Sequence, residues 1–140
     1  MAYAFYIKNE RSMPFAERAA YGWKTLETRN RRTLDKLVNT PEKVYIIRTG
    51  RGKNNPSMII GRCYIRKPVW IPAERFKDPD TISKTYVFPD SKFYPDCIHG
   101  KWCYPIEYAE PLRIHVPVPD NAIKHGRVWI EFDESGVIIA

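Results

Sequence analysis

The sequence predicts an α+β fold in which a small mixed β-barrel is flanked by short helices. Several segments alternate apolar and polar residues with the period of two that strands require. Segments with helical spacing are few and short, and no internal repeat is visible. The chain has 140 residues, which fits one domain that can bury a core. We therefore expect a single domain over residues 1–140, with an irregular insertion at about 71–101.

The predicted elements follow one another along the whole chain. Apolar alternation predicts strands at 2–7, 44–48, 57–65 and 102–108 with an extension at 112–116, and a terminal hairpin that pairs 128–132 with 136–139. A turn and a short helix are expected within 30–39. The insertion at 71–101 has no clear periodicity, and its aromatic residues favour order over disorder.

The loop at 49–56 is rich in glycine, asparagine and basic residues. Its glycines lack the Walker spacing and no helix follows, which excludes a P-loop. A plain hairpin turn is the favoured interpretation. The alternative is a flexible basic loop over a pocket or an RNA backbone.

A short helix is predicted at residues 13–21, followed by a strand. Ser12 can cap this helix, Pro14 suits its first turn, and Gly22 lies where a left-handed stop is needed. Lys24 then lies at the turn from helix to strand, where a long side chain can reach either face of the sheet.

Three ionisable side chains follow Gly22 within a few residues. On a strand, Glu27 and Arg29 lie on one face together with Thr25, so Lys24, Glu27 and Arg29 can converge on one pocket. A neutral lysine is a nucleophile, whereas a protonated lysine beside an arginine can stabilise an oxyanion. The other interpretation is a solvated, self-paired strand face that adds little stability.

The net charge of +7 is unevenly distributed. Residues 24–67 contain twelve Lys or Arg and three acidic residues, which gives +9, while the other eleven basic and thirteen acidic residues give −2. Such asymmetry attracts phosphates or nucleic acid over a Debye length of about 10 Å. The alternative is ordinary solubility charge.

Cysteines occur at 63, 97 and 103, an odd number that predicts free thiols. Cys97, His99 and Cys103 have no fourth ligand at a familiar spacing, so we expect no metal and no cofactor. No apolar run reaches the roughly 18 residues of a membrane span, and the N-terminus lacks the features of a secretion signal. We therefore expect a cytoplasmic protein without a membrane partner.

The run Gly22-x-Lys24-Thr25-x-Glu27-x-Arg29 resembles the signature with which the ASCH domain, a member of the PUA-like superfamily, enters its first strand. The segments 61–65, 102–108 and 126–129 resemble its later strands, so the resemblance covers most of the chain apart from its middle. It implies a PUA-like fold.

The resemblance also implies an activity. Small single-domain ASCH proteins include metal-independent amidohydrolases that remove the acyl group from N4-acetylcytidine and related N4-acylated cytosine nucleosides. Their catalysis is ascribed to the signature lysine, a threonine in the same run and a later glutamate. Lys24 matches the lysine, whereas Glu27 takes the strand position of the threonine, with Thr25 and Thr28 beside it.

The later glutamate has three candidates, Glu74, Glu107 and Glu110, of which Glu107 is chosen because it lies on a predicted strand among aromatics. The catalytic set expected from the resemblance is therefore Lys24, Glu27 and Glu107.

A flat base is expected to stack on Trp23, Tyr104 or Trp102, with Thr25 and Arg29 as further substrate-binding residues. Other ASCH proteins bind or cleave RNA. The alternative function is therefore an RNA-binding or RNA-processing module that uses the basic surface and an aromatic pocket.

Overall fold

The computed structural model describes residues 1–95 and 99–137, and these contain eight strands, two α-helices and three 3₁₀ turns. The strands are β1 (Ala2–Ile7), β2 (Leu26–Arg29), β3 (Val44–Arg48), β4 (Met58–Ile65), β5 (Val69–Ile71), β6 (Lys101–Pro117), β7 (Ile123–His125) and β8 (Trp129–Phe132). The helices are α1 (Phe15–Ala20) and α2 (Pro79–Thr85), and the 3₁₀ turns are Asp35–Leu37, Ala73–Lys77 and Glu134–Gly136. None of the helices in these residues is long and apolar enough to cross a membrane. The predicted α+β class is confirmed.

The strands form one mixed sheet in the order β2-β6-β4-β3-β1-β8-β7, and β5 also pairs with β6. β1 runs parallel to β3, whereas the other pairs are antiparallel. Among the described residues the pairing begins at β2 and ends at β7 without returning to β2. The predicted closure into a barrel is therefore not confirmed, and the sheet is open.

The long strand β6 connects the two parts of this sheet. Its first residues pair with β2 and β5, and its later residues, from Ile106 to Pro117, pair with β4. The register of the pairing between β6 and β4 shifts between Glu107 and Glu110, a stretch that contains Tyr108, whose φ of 52° lies in the left-handed region. The predicted segments 102–108 and 112–116 are thus one bent strand.

Alternation along the central strands gives the sheet two buried faces. Phe5 and Ile46 pack on the face that α1 covers. Their sequence neighbours Ala4 and Tyr45 belong to a second cluster, in which the Tyr45 ring meets Phe132 edge to face at 5.3 Å. The central strands are therefore fixed in register on both sides, because a slip of one residue would exchange the two sets.

Helix α1 approaches the sheet closely. Its buried alanines include Ala20, and a Cβ built on Gly61 of β4 would lie 2.7 Å from the Ala20 Cβ and 3.0 Å from the Glu110 carbonyl oxygen. Only glycine fits at this crossing without displacing the helix or the strand. The position of α1, and of the chain that leaves it, therefore depends on Gly61.

The two ends of α1 differ in how well they were predicted. Gly22 has φ of +82°, which confirms the predicted left-handed stop. The prediction for Ser12 is wrong: the helix begins after Pro14 without a side-chain cap from its N-cap residue. Instead Asn9 accepts a hydrogen bond from the Ala16 N–H at 2.7 Å and so satisfies one of the free donors of the first turn.

The predicted terminal hairpin is wrong where the structure describes it. β8 pairs with β1 and with β7, a strand that the sequence did not predict, and Gly136 belongs to a 3₁₀ turn. Two contacts hold β7 to β8: the His125 ring stacks on Trp129 at 3.8 Å, and its Nε2 lies 2.7 Å from Glu131. Residues 138–140 of the predicted hairpin lie outside the described residues.

We expect Gly61→Ala to lower the free energy of unfolding by about 1–3 kcal/mol, because the added methyl group overpacks the contact with α1. Gly136→Ala is the matched control, since a Cβ there meets nothing within 4 Å. Urea denaturation of both variants measures the difference. Equal stability of the two would contradict the close contact between α1 and β4.

Candidate functional site

A buried lysine forms the centre of the site. Lys24 is 1% exposed, and its Nζ donates hydrogen bonds to the carbonyl oxygens of Leu26 at 2.7 Å and Thr85 at 2.8 Å. The Glu27 carboxylate lies 3.4 Å from the same nitrogen. Three acceptors therefore surround the three N–H groups of an ammonium.

The hydrogen bonds that position Lys24 also satisfy free backbone carbonyl groups at the C-terminal ends of α1 and α2. After the left-handed residue Gly22, the backbone N–H groups of Trp23 and Lys24 both donate to the Arg18 carbonyl at 2.9 Å, which closes the last turn of α1. The Lys24 side chain then reaches Thr85, the last residue of α2, whose carbonyl has no partner within the helix. A cation there also suits the partial negative charge of a helix C-terminus.

Glu27 and Arg29 lie on one face of β2, as predicted. Glu27 is 6% exposed and accepts a hydrogen bond from Arg29 at 2.8 Å. The same Arg29 nitrogen lies 2.6 Å from the Tyr6 carbonyl oxygen of β1. The Arg29 Nε is buried and has no acceptor among the described residues. The carboxylate therefore sits between two cations, one of which retains an unused donor.

Burial and the neighbouring carboxylate shift the pKa of Lys24 in opposite directions. Desolvation lowers the pKa of Lys24 from its usual value, while the nearby Glu27 carboxylate opposes this shift.

Cys103 lies on the neighbouring strand, and burial raises the pKa of its thiol to about 12. Cys103 is therefore a protonated, unreactive thiol at neutral pH.

Lys24, Glu27 and Arg29 line a cavity of about 450 Å³. Its apolar wall consists of Ile7, Phe15, Val87 and Phe93. The Phe15 and Phe93 rings meet edge to face at 5.9 Å, and the Lys24 Nζ lies 5.3 Å from the centre of the Phe15 ring. The volume and the mixture of apolar wall and few polar groups are typical of a small-molecule site.

The charged lining of the cavity is mostly positive. The cations that line it are Lys8, Lys24, Arg29, Arg51, Lys101 and Arg127. Glu27 is the single acidic residue among the lining side chains of this cavity. The site is therefore suited to a ligand that carries negative charge.

The other predicted site residues lie elsewhere. Trp23 is 56% exposed and lies under the Arg18 guanidinium. Thr25 is exposed and joins α2 to β6 through its backbone. Tyr104 is fully buried, and its hydroxyl donates to Asp35 at 2.5 Å and accepts from the Leu34 N–H at 3.2 Å. Its ring is not available for stacking on a base.

None of the three candidates for the later glutamate lines the cavity. Glu107 has a side chain that is 45% exposed and pairs with Arg66 on the surface of β6. Glu110 pairs with Arg62 and Lys43, and Glu74 lies exposed in a 3₁₀ turn. The structure thus brings Lys24 and Glu27 together and leaves Glu107 outside.

Sequence reasoning missed the residues that complete the cavity. Val87 and Phe93 belong to the segment that was predicted as an insertion, and Arg51 belongs to the loop that was interpreted mainly as a hairpin turn. The signals were the aromatic content of that segment and the basic residues of the loop. Neither the aromatic content nor the basic charge predicts which other part of the chain these residues contact.

Metal binding has no support from the described part of the chain, where no three His, Cys, Asp or Glu side chains cluster as ligands would. Cys63 and Cys103 are free thiols. Cys97, the first residue of the considered ligand set, lies outside the described residues. The expectation of no metal stays a prediction.

Fold and site together define a protein with an open mixed sheet and a basic cavity built around a buried lysine. A solved structure with a similar fold is that of a mutant of ZmASCH from Zymomonas mobilis, with a TM-score of 0.58. The similarity covers 94% of this chain and 89% of that chain, at 15% sequence identity. It shows that this chain has the fold of an ASCH protein. No family model and no curated protein matches the chain.

We expect Lys24→Met to lower the free energy of unfolding by about 1–3 kcal/mol, because two carbonyl oxygens lose their donor in the interior. Methionine fills a similar length, so the loss of the charged donor is isolated from the creation of a cavity. Lys84→Met is the matched control: Lys84 is half exposed and pairs with Asp80 on the surface of α2.

Chemical denaturation of both variants compares the two lysines. An equal and small effect of both substitutions would mean that Lys24 does not hold α2 to β2 in solution.

Proposed function

We propose that this protein is a metal-independent amidohydrolase that removes the acyl group from N4-acylated cytosine nucleosides, giving cytidine and a carboxylic acid. The observation that carries this proposal is the Glu27 carboxylate, which lies between Lys24 at 3.4 Å and Arg29 at 2.8 Å in the lining of an apolar-walled cavity. The resemblance of residues 22–29 to the ASCH signature supplies the class of substrate.

Glu27 is the proposed general base. It takes a proton from a water molecule whose oxygen attacks the acyl carbon, and the carbonyl oxygen gains negative charge as the new C–O bond forms. The C–N bond then breaks, and Glu27 returns the proton to N4 of cytosine. The products are cytidine and the acid.

Arg29 is the proposed partner of the developing oxyanion. It lines the cavity, its charge is permanent, and its Nε has no acceptor among the described residues. In the proposed scheme, the Arg29 guanidinium donates to the oxyanion as it forms.

Lys24 acts as an ammonium in this scheme. Three acceptors already surround its Nζ, so it has no free lone pair to attack an acyl group. Its charge faces the Glu27 carboxylate at 3.4 Å, and its hydrogen bonds fix the start of β2. This geometry favours the charged role over the nucleophilic one.

RNA binding is the second candidate function. The cations of residues 24–67 and those around the cavity favour contact with phosphates. An RNA module of this kind would lose affinity steeply with salt, with a log–log slope near −0.7 per phosphate contacted.

For the amidohydrolase, we expect Glu27→Gln to lower the rate on N4-acetylcytidine by about 100-fold or more, because the amide cannot accept the proton of water. Glu107→Gln is the matched control, since it makes the same change on an exposed glutamate outside the cavity. The release of cytidine and acetate is measured for each variant, together with a melting curve.

Parental activity in a folded Glu27→Gln protein would remove this residue from the mechanism. The lack of turnover by the parent over a panel of N4-acyl cytidines would reject the proposed function.

The pH dependence tests the role of Lys24. If its ammonium is required, kcat falls as pH rises through the pKa of Lys24, which burial holds below its usual value of 10.5. A neutral, nucleophilic amine requires the opposite sign, with kcat rising through the same pH window. The rate of Glu107→Gln should follow the parent profile, and the uncatalysed alkaline hydrolysis is subtracted.

A further inference from the structure

Three exposed cations line the cavity from loops that are distant in sequence. Lys8 follows β1, Arg51 lies between β3 and β4, and Arg127 lies between β7 and β8. The fold thus brings together three positive charges that no sequence motif connects. We call these three residues the basic rim.

The basic rim is not paired with a carboxylate in the described part of the chain. In residues 1–95 and 99–137, no carboxylate forms a salt bridge with Lys8, Arg51 or Arg127. The like charges affect one another: Lys92, followed by Arg51 and Arg127, lowers the pKa of Lys8. By contrast, Glu27 pairs with Lys24 and Arg29 inside the cavity.

Local turns fix two of the rim residues in place. The Arg51 N–H donates to the Asn55 carbonyl at 2.6 Å, and a Cβ on Gly50 would lie 2.1 Å from the same oxygen. Gly126, just before Arg127, has φ of +62°, and the Tyr6 N–H binds the Val128 carbonyl at 2.9 Å. These backbone contacts fix the points from which the Arg51 and Arg127 side chains leave the main chain.

The rim also forms a boundary between two hollows. Lys8, Thr49 and Arg51 line the cavity described above and also a neighbouring depression of about 380 Å³. A group held by Lys8 and Arg51 therefore lies at the open end of the first cavity. The apolar wall with Phe15 and Phe93 belongs to the first cavity and not to the second.

We propose that Lys8, Arg51 and Arg127 form a phosphate subsite, so that the cavity takes a nucleoside monophosphate in preference to an uncharged nucleoside. The base lies against the Phe15 and Phe93 wall near Glu27, and the phosphate ester meets the rim cations in the manner of charge-assisted hydrogen bonds. Only the identity of the base rests on the proposed function. The subsite itself rests on the geometry and charge of the rim.

The test compares the affinities of cytidine and cytidine 5′-monophosphate by calorimetry at low salt. We expect the nucleotide to bind the parent about tenfold more tightly or better. Arg51→Gln, Lys8→Gln and Arg127→Gln should each reduce this preference while leaving the affinity for cytidine unchanged. Arg113→Gln, an exposed arginine of β6 outside the cavity, is the matched control and should keep the full preference.

Equal affinities for cytidine and its monophosphate would overturn the proposal. It would also fail if a single-stranded cytidine oligonucleotide bound tightly while the mononucleotide bound no better than cytidine, because the rim would then serve an RNA strand. Competition of inorganic phosphate with the mononucleotide, but not with cytidine, would support it.

Hydrolysis of N4-acetylcytidine and of its 5′-monophosphate separates this proposal from the proposed function. Turnover of both at equal kcat/KM would keep the hydrolase and reject the subsite. Tight binding of the nucleotide without turnover of either would keep the subsite and reject the hydrolase.

Discussion

The burial of a single ammonium group is the constraint on which the rest of this structure depends. An unpaired charge cannot be removed from water at an acceptable free-energy cost, so the fold must surround Lys24 with acceptors. It does so with the last carbonyl of α2, the first carbonyl of β2 and the Glu27 carboxylate. Two segments that are far apart in the chain, the end of α2 and the start of β2, are thereby fixed to one nitrogen atom. The same contacts that stabilise the fold therefore also set the geometry of the cavity.

This arrangement explains why the site and the fold cannot be separated. Thr85 ends a helix in the segment that was predicted as an irregular insertion, and Val87 and Phe93 follow it into the apolar wall of the cavity. Together with the backbone hydrogen bond from Thr25 to Lys84, the Lys24 contact with Thr85 sets the distance of this wall from Glu27. The insertion is thus an integral part of the site. Its order arises from a long-range contact and not from local helix propensity, which is weak in a helix of only seven residues.

Local patterns were sufficient to predict the elements that depend on neighbouring residues. The alternation of β1, β3 and β4 and the left-handed stop at Gly22 follow from backbone sterics and from side-chain period. The contacts of single side chains were not predictable in this way. Tyr104 and Glu107 both lie in the segment 102–108, which was correctly predicted as a strand, yet one is fully buried against Asp35 and the other is on the surface. Which face and which partner a residue meets is decided by the sheet order, and the sequence carries no local signal for that order.

The balance of positive and negative side chains changes from the interior of the cavity to its mouth. This difference follows from the free-energy cost of leaving a charge unpaired, which is high in the interior and low at the exposed rim. In the interior, Glu27 partly compensates Lys24 and Arg29, because fully unpaired charge would be costly at 1% to 18% side-chain exposure. At the rim, exposed Lys8, Arg51 and Arg127 are screened by water and salt, so they can remain unpaired without unfolding the protein. Their mutual repulsion still opposes the packing of their loops, and a bound anion relieves it. The proposed subsite therefore distinguishes ligands by the group at the cavity mouth, while in the proposed reaction Glu27 and Arg29 act on the group that enters the partly compensated interior.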